Sequence, residues 1–209
     1  MKLIKGARTI RRYMVDGKPD KTDGEWLTRL QNQFQTHSFK NAEDNQMIEE
    51  RVGWVTANSI LDADFSQIPK WYLEPYIYGQ FRVDKKTLPS NLYRAMYEMR
   101  VKEWLVSNNR ERIPKRERDE IKDLLSAQLF AKTLPRVKSV EFCWNVEKQY
   151  LILLNLSDAF NDKFCEYFYT TFGHVLQVQT PLMFLEEDDE NLETMTKCGV
   201  SSLRVNAVD

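Results

Sequence analysis

Lys115, Arg118 and Lys122 recur at intervals of three and four residues, the spacing that files side chains along one side of an α-helix. Cations in such a file can meet successive phosphates, displace condensed counterions and give affinity for nucleic acid without reading bases. Arg110, Arg112 and Arg116 belong to the same run, and Arg136 and Lys138 follow shortly after it. Arg11 and Arg12 form a further basic pair near the N-terminus. Together these are the candidate phosphate contacts. The competing reading is an ordinary solvated helix surface.

Acidic residues are interleaved with the cations. Asp119, Glu120 and Asp123 surround Lys122, and a metal-dependent nuclease needs clustered carboxylates with a lysine to hold Mg²⁺ and activate water. On a helix, however, consecutive residues diverge by about 100°, so these acids do not converge by themselves. His37 and His174 lack HxxxH or HExxH spacing, and the cysteines (Cys143, Cys165, Cys198) lack CxxC spacing. Neither a GxGxxG nor a Walker-type loop occurs. The expectation is a protein with no catalytic residues, no metal and no cofactor, with a metal-dependent nuclease as the lesser alternative.

The elements that must position the cations come next. Residues 85–138 hold 14 Lys+Arg against 7 Asp+Glu in a chain of net charge -1, and a basic face steers a polyanion where the total charge does not. Within this stretch a first helix follows Pro89-Ser90, with Leu92, Tyr93, Met96, Tyr97 and Trp104 on one side and an expected Glu98–Lys102 pair on the other. Arg100 falls on the apolar side and needs a partner or an outward reach. Ser107-Asn108-Asn109 ends it. A second helix has Pro114 at its first position and a stripe of Ile121, Leu124, Leu125, Gln128 and Leu129, and stops before Pro135.

Strands flank this helical insert. Residues 2–15 read as one, with Gly6 marking a bulge. A helix from about Glu25, capped by Thr22 or Asp23, buries Trp26, Leu27, Leu30 and Phe34. His37–Arg51 is polar and poorly patterned and reads as loop or irregular helix. Val52–Val55 is a short strand, with Gly53 allowing close backbone approach and Trp54 as an anchor. Trp71–Val83 is a strand put at an edge or bent by Pro75 and Gly79. Val137–Val146 and Gln149–Leu156 form a pair of strands, a helix runs from Ala159 to Phe172 with Gly173 just past its end, and Val175–Leu185 is a last strand.

The class is α+β: antiparallel sheets with packed helices and a central two-helix basic insert. Residues 1–185 form a single domain, with 85–138 as a subdomain and 186–209 as an acidic C-terminal tail. No apolar run reaches the ~18–20 residues of a membrane span, and the odd cysteine count fits reduced thiols in a cytosol.

Several landmarks, in order, resemble the recombination-associated protein RdgC family of bacterial DNA-binding proteins. They are the opening MKLIKGARTIRRY, Val52-Gly53-Trp54-Val55, Lys86-Thr87-Leu88-Pro89, the run Lys115–Asp123, Leu134-Pro135-Arg136, Trp144-Asn145 followed by YLILLN, and Gly173 with Pro181-Leu182. The sequence departs from the family at Thr56-Ala57 and at Val137-Lys138. The resemblance implies non-specific binding of double-stranded DNA by a homodimer, nucleoid association in the cytoplasm and restraint of recombinase filaments. Longer members extend about a hundred residues further, a domain-sized difference, so a dimer with a basic concave face carries over rather than a closed ring. A small protein-interaction module that contacts an acidic partner is the alternative from a different class.

Overall fold

In the computed structural model residues 9–22, 24–40, 48–180 and 183 are described. The expected bulge at Gly6, the cap at Asp23, Cys198 and the acidic tail lie outside them.

Alternation writes the sheet into the sequence. Seven strands assemble among the described residues: β1 (Arg11–Val15), β2 (Glu50–Val55), β3 (Tyr72–Leu73), β4 (Tyr76–Lys85), β5 (Arg136–Asn145), β6 (Tyr150–Leu153) and β7 (Leu176–Val178). They form one antiparallel sheet in the order β2-β4-β5-β6-β1-β7, with β3 beside β4. Side chains alternate between faces along a strand. The registers Tyr13↔Leu151, Leu151↔Trp144, Trp144↔Ile77 and Phe81↔Trp54 therefore put all these apolar residues on one face.

Two helices cover that face, α1 (Trp26–Thr36) and α4 (Asp158–Phe172). Leu30 and Phe34 are the buried residues of α1, and Phe160, Phe164, Phe168 and Phe172 line the buried side of α4. Gly173 closes α4 in the left-handed conformation at φ 74°, which glycine adopts without the Cβ penalty. Trp54 sits at the centre, fully buried, with Phe34, Phe81, Phe142 and Phe164 rings 5.2–6.1 Å away. Its indole N–H donates to Thr171 Oγ1 at 2.9 Å, so the one polar atom of the ring is satisfied.

Behind Trp54, Gly53 lets another segment approach. A Cβ there would stand 2.4 Å from Phe39 Cα. The Phe39 N–H donates to the Trp54 carbonyl at 2.9 Å, and the Trp54 N–H donates to that of His37 at 3.1 Å. The stretch read as loop or irregular helix thus carries a buried Phe39 and a bridge at Ser38, a non-local pairing that polarity alone hides. On this second face Arg82 and Asp84 are buried as a two-point ion pair, Nε–Oδ1 2.7 Å and Nη2–Oδ2 2.6 Å. The guanidinium also lies 4.0 Å over the Phe39 ring and donates to the Ile60 carbonyl at 2.8 Å.

Four expectations need correction. The strand foreseen over Trp71–Val83 is two, and β4 is central rather than an edge. Pro75 falls in the turn between them, where no ladder N–H is required. Pro114 is extended (φ -62°, ψ 156°) and precedes the helix instead of opening it. The last strand spans only Leu176–Val178 among the described residues. Glu98 pairs with Arg94 at 3.2 Å rather than with Lys102.

The basic insert is a helical hairpin, α2 (Ser90–Ser107) and α3 (Lys115–Lys132), standing between the adjacent ends of β4 and β5. The two helices pack chiefly on each other. None of the α2 residues is buried, and α3 buries only Leu125 and Leu129. The foreseen stripe is therefore narrower than expected: Leu92 is 49% and Leu124 64% exposed, because a hairpin standing clear of the sheet has one seam to bury and no second layer beneath it.

Candidate nucleic-acid interface

The far end of the hairpin gathers the cations. Arg110 and Arg112 lie in the connection between the helices, and Lys115 and Arg118 in the first turn of α3; all four are exposed. Among the described residues none of these four forms an ion pair. Glu111 and Glu117 are the acids of the same region. The other two predicted cations of α3 are engaged along the helix, Arg116 with Glu120 at 3.1 Å and Lys122 with Asp119 at 3.3 Å. Both pairs are solvent-exposed, the kind worth about 0–1 kcal/mol, so a phosphate can displace them. Arg100 meets Glu103 at 3.5 Å, the partner its apolar-side position required.

A second basic row crosses the foot of the hairpin. Lys85, the last residue of β4, stands directly opposite Arg136, the first of β5, and Lys138 lies on the same face two residues on. Lys138 reaches over the Phe160 ring at 4.3 Å. Glu50 is the neighbour of Lys85 on its other side and is engaged by Lys163 of α4. Like charges directly opposite on a sheet repel, yet neither Lys85 nor Arg136 forms an ion pair among the described residues. Lys85 and Lys163 were missed in the sequence. The place of Lys85 depends on which strands pair, and that of Lys163 on where α4 lies over the sheet beside Glu50.

Arg11 and Arg12 do not join either group. Side by side in β1, they point to opposite faces of the sheet. Arg11 binds Asp158 at 2.7 Å, and that hydrogen bond holds its guanidinium above the ordinary range. Arg12 lies 4.3 Å over the Tyr150 ring.

Two of the carboxylates near Lys122 are engaged within α3. Asp119 and Glu120 are each turned to a cation on their own helix. Among the described residues no group of three or more His, Cys, Asp or Glu side chains gathers as a divalent ion would need. Cys143 and Cys165 are free thiols, and burial pushes both above the usual thiol range, away from a nucleophilic thiolate. His37 Nδ1 lies 3.1 Å from the Gln33 carbonyl and His174 Nδ1 2.9 Å from that of Asp16, contacts with the backbone. Among the described residues no helix is long and apolar enough to cross a membrane.

A single antiparallel sheet with a two-helix cover and a basic helical hairpin between central strands defines an α+β protein built to present positive charge away from its core. Compared with models of protein families, residues 20–197 match the one described as "Putative exonuclease, RdgC". The chain belongs to the RdgC family, whose theme is recombination-related and DNA-directed. No curated protein matches the chain.

Proposed function

We propose that this protein binds double-stranded DNA without sequence preference, through the end of its helical hairpin, and acts as a homodimer to modulate recombination or nucleoid organisation. The observation that carries the reading is the group Arg110, Arg112, Lys115 and Arg118, exposed, free of ion pairs among the described residues and held at the end of an element that packs chiefly on itself. Cations so placed can follow phosphates while the core stays undisturbed. They offer no fixed pattern of donors for base edges, so the affinity is electrostatic and independent of sequence.

The test is a salt-titrated anisotropy measurement with linear and circular duplex. Replacing the four residues by alanine removes up to four phosphate contacts and should make the log–log salt slope shallower by about 3–4, with thermal stability unchanged. Retained affinity and slope would refute the assignment. Sedimentation of the free protein tests the dimer, and a strict monomer counts against it.

The family's description as an exonuclease supports a second reading. End-labelled linear duplex incubated with Mg²⁺ or Mn²⁺ separates the two. Under the binding reading the label stays at full length. Shortening that Asp119→Ala abolishes would establish hydrolysis instead.

A further inference from the structure

The foot of the hairpin carries a charge arrangement that folding alone does not call for. Lys85 and Arg136 oppose each other across the ladder, Lys138 extends the row on the same face, and Lys163 lies just beyond Glu50. Apolar residues occupy the next positions inward, Val83 and Val140 on the strands and Phe160 on α4. Any polar residue would have served at the exposed ends of β4 and β5, and a cross-strand acid would have been favourable. Instead cations stand on both strands, and the one acid of the row, Glu50, is already engaged by Lys163.

We propose that this row is a second phosphate-binding site, and that one duplex lies lengthwise along the hairpin, touching its end and its foot at once. This inference rests on the DNA-binding reading above. Its added content is the ligand's orientation and length. The 18 residues of α3 separate the two groups, which at 1.5 Å per residue is ~27 Å. At 3.4 Å per base pair that distance spans about eight base pairs. Shorter duplexes reach one group only; longer ones engage both. Between the two groups, Arg116 and Lys122 hold exposed pairs with acids on their own helix, so the middle of the hairpin contributes little until those pairs open.

Hairpin-capped duplexes of about 6, 10 and 16 base pairs, chosen to bracket the ~27 Å span, decide the matter by anisotropy at several salt concentrations. Wild-type affinity is expected to rise at least tenfold between the first two lengths and only in proportion to the number of sites thereafter. No break in that interval would overturn the proposal, and this arm needs no variant. The charge-removing variant Lys85→Gln/Arg136→Gln/Lys138→Gln keeps the aliphatic stem over Phe160. On the longest duplex it should bind at least tenfold more weakly, with a slope shallower by about 2–3. On the shortest it should change less than twofold. If it binds long duplex like wild type while the four-residue variant of the hairpin end does not, the second site is refuted and the DNA-binding reading stands. If wild-type protein retains no duplex of any length at low salt, both fall together.

Discussion

Replacing Gly53 by alanine puts the close packing behind Trp54 to a direct test. The new Cβ would stand 2.4 Å from Phe39 Cα, 2.6 Å from its N and 2.9 Å from its Cβ. Backbone rather than a flexible side-chain end is in the way, so relief requires the segment around Phe39 to retreat by about 1 Å to reach ordinary van der Waals contact. That retreat stretches the hydrogen bonds at 2.9 and 3.1 Å that tie His37 and Phe39 to Trp54. It also withdraws the Phe39 ring from the Arg82 guanidinium. Overpacking costs about 1–3 kcal/mol and two weakened buried hydrogen bonds about 1 kcal/mol each. The expected loss is therefore roughly 3–5 kcal/mol of a total stability of about 5–15 kcal/mol. Urea unfolding followed by tryptophan fluorescence measures it. Gly79→Ala is the milder comparison: its Cβ would meet the buried Phe142 ring at 3.2 Å and the Val55 carbonyl oxygen at 3.4 Å, distances that a shift of a few tenths of an ångström relieves, and about 1 kcal/mol is expected. A loss below about 1 kcal/mol for Gly53→Ala, or a larger one for Gly79→Ala, would refute the reasoning.

Three further outcomes are expected. Asp84→Ala strands the buried Arg82 guanidinium and should cost about 3–5 kcal/mol in urea unfolding, whereas Arg82→Met/Asp84→Leu should lose much less. Thr171→Val removes the acceptor of the Trp54 N–H inside the core and should destabilise by about 1–3 kcal/mol, with a shift in tryptophan emission as the spectroscopic check. Burial raises the phenols of Tyr13 and Tyr167 from 10.0 to about 12. Because the folded state then holds these protons more tightly than the unfolded chain, the contribution is complete below pH 10 and is lost as pH climbs towards 12. Tyrosinate absorbance read alongside stability over that window should rise as stability falls. Stability that stays flat across it would contradict the assignment.

Local signals explain what the sequence disclosed. Ser157 and Gly173 punctuate α4, and its phenylalanines repeat at helical spacing, so its limits and buried side were both readable. Trp54 and Gly53 declared an anchor and a close approach. The insert was bounded by Pro89 and Pro135, and its charge excess needed only counting. Pairing between distant segments was not readable. Nothing in the spelling of His37–Arg51 announces that Phe39 packs behind Gly53, and Lys85 gains its meaning only from facing Arg136 across a ladder closed over fifty residues of chain. Partner choice on α2 was equally hidden, since Glu98 has basic residues four positions away on both sides and the rotamers, not the spacing, select Arg94.

The hairpin enters and leaves the sheet through residues that face each other, Lys85 and Arg136. A segment grafted at such a point can change length without altering a single strand register. One heptad added to each helix would carry the far end ~10 Å outward, about three further base pairs along a duplex. The result would be a measuring rod whose span evolution or an engineer can set in steps of helical turns while the aromatic core remains as it is.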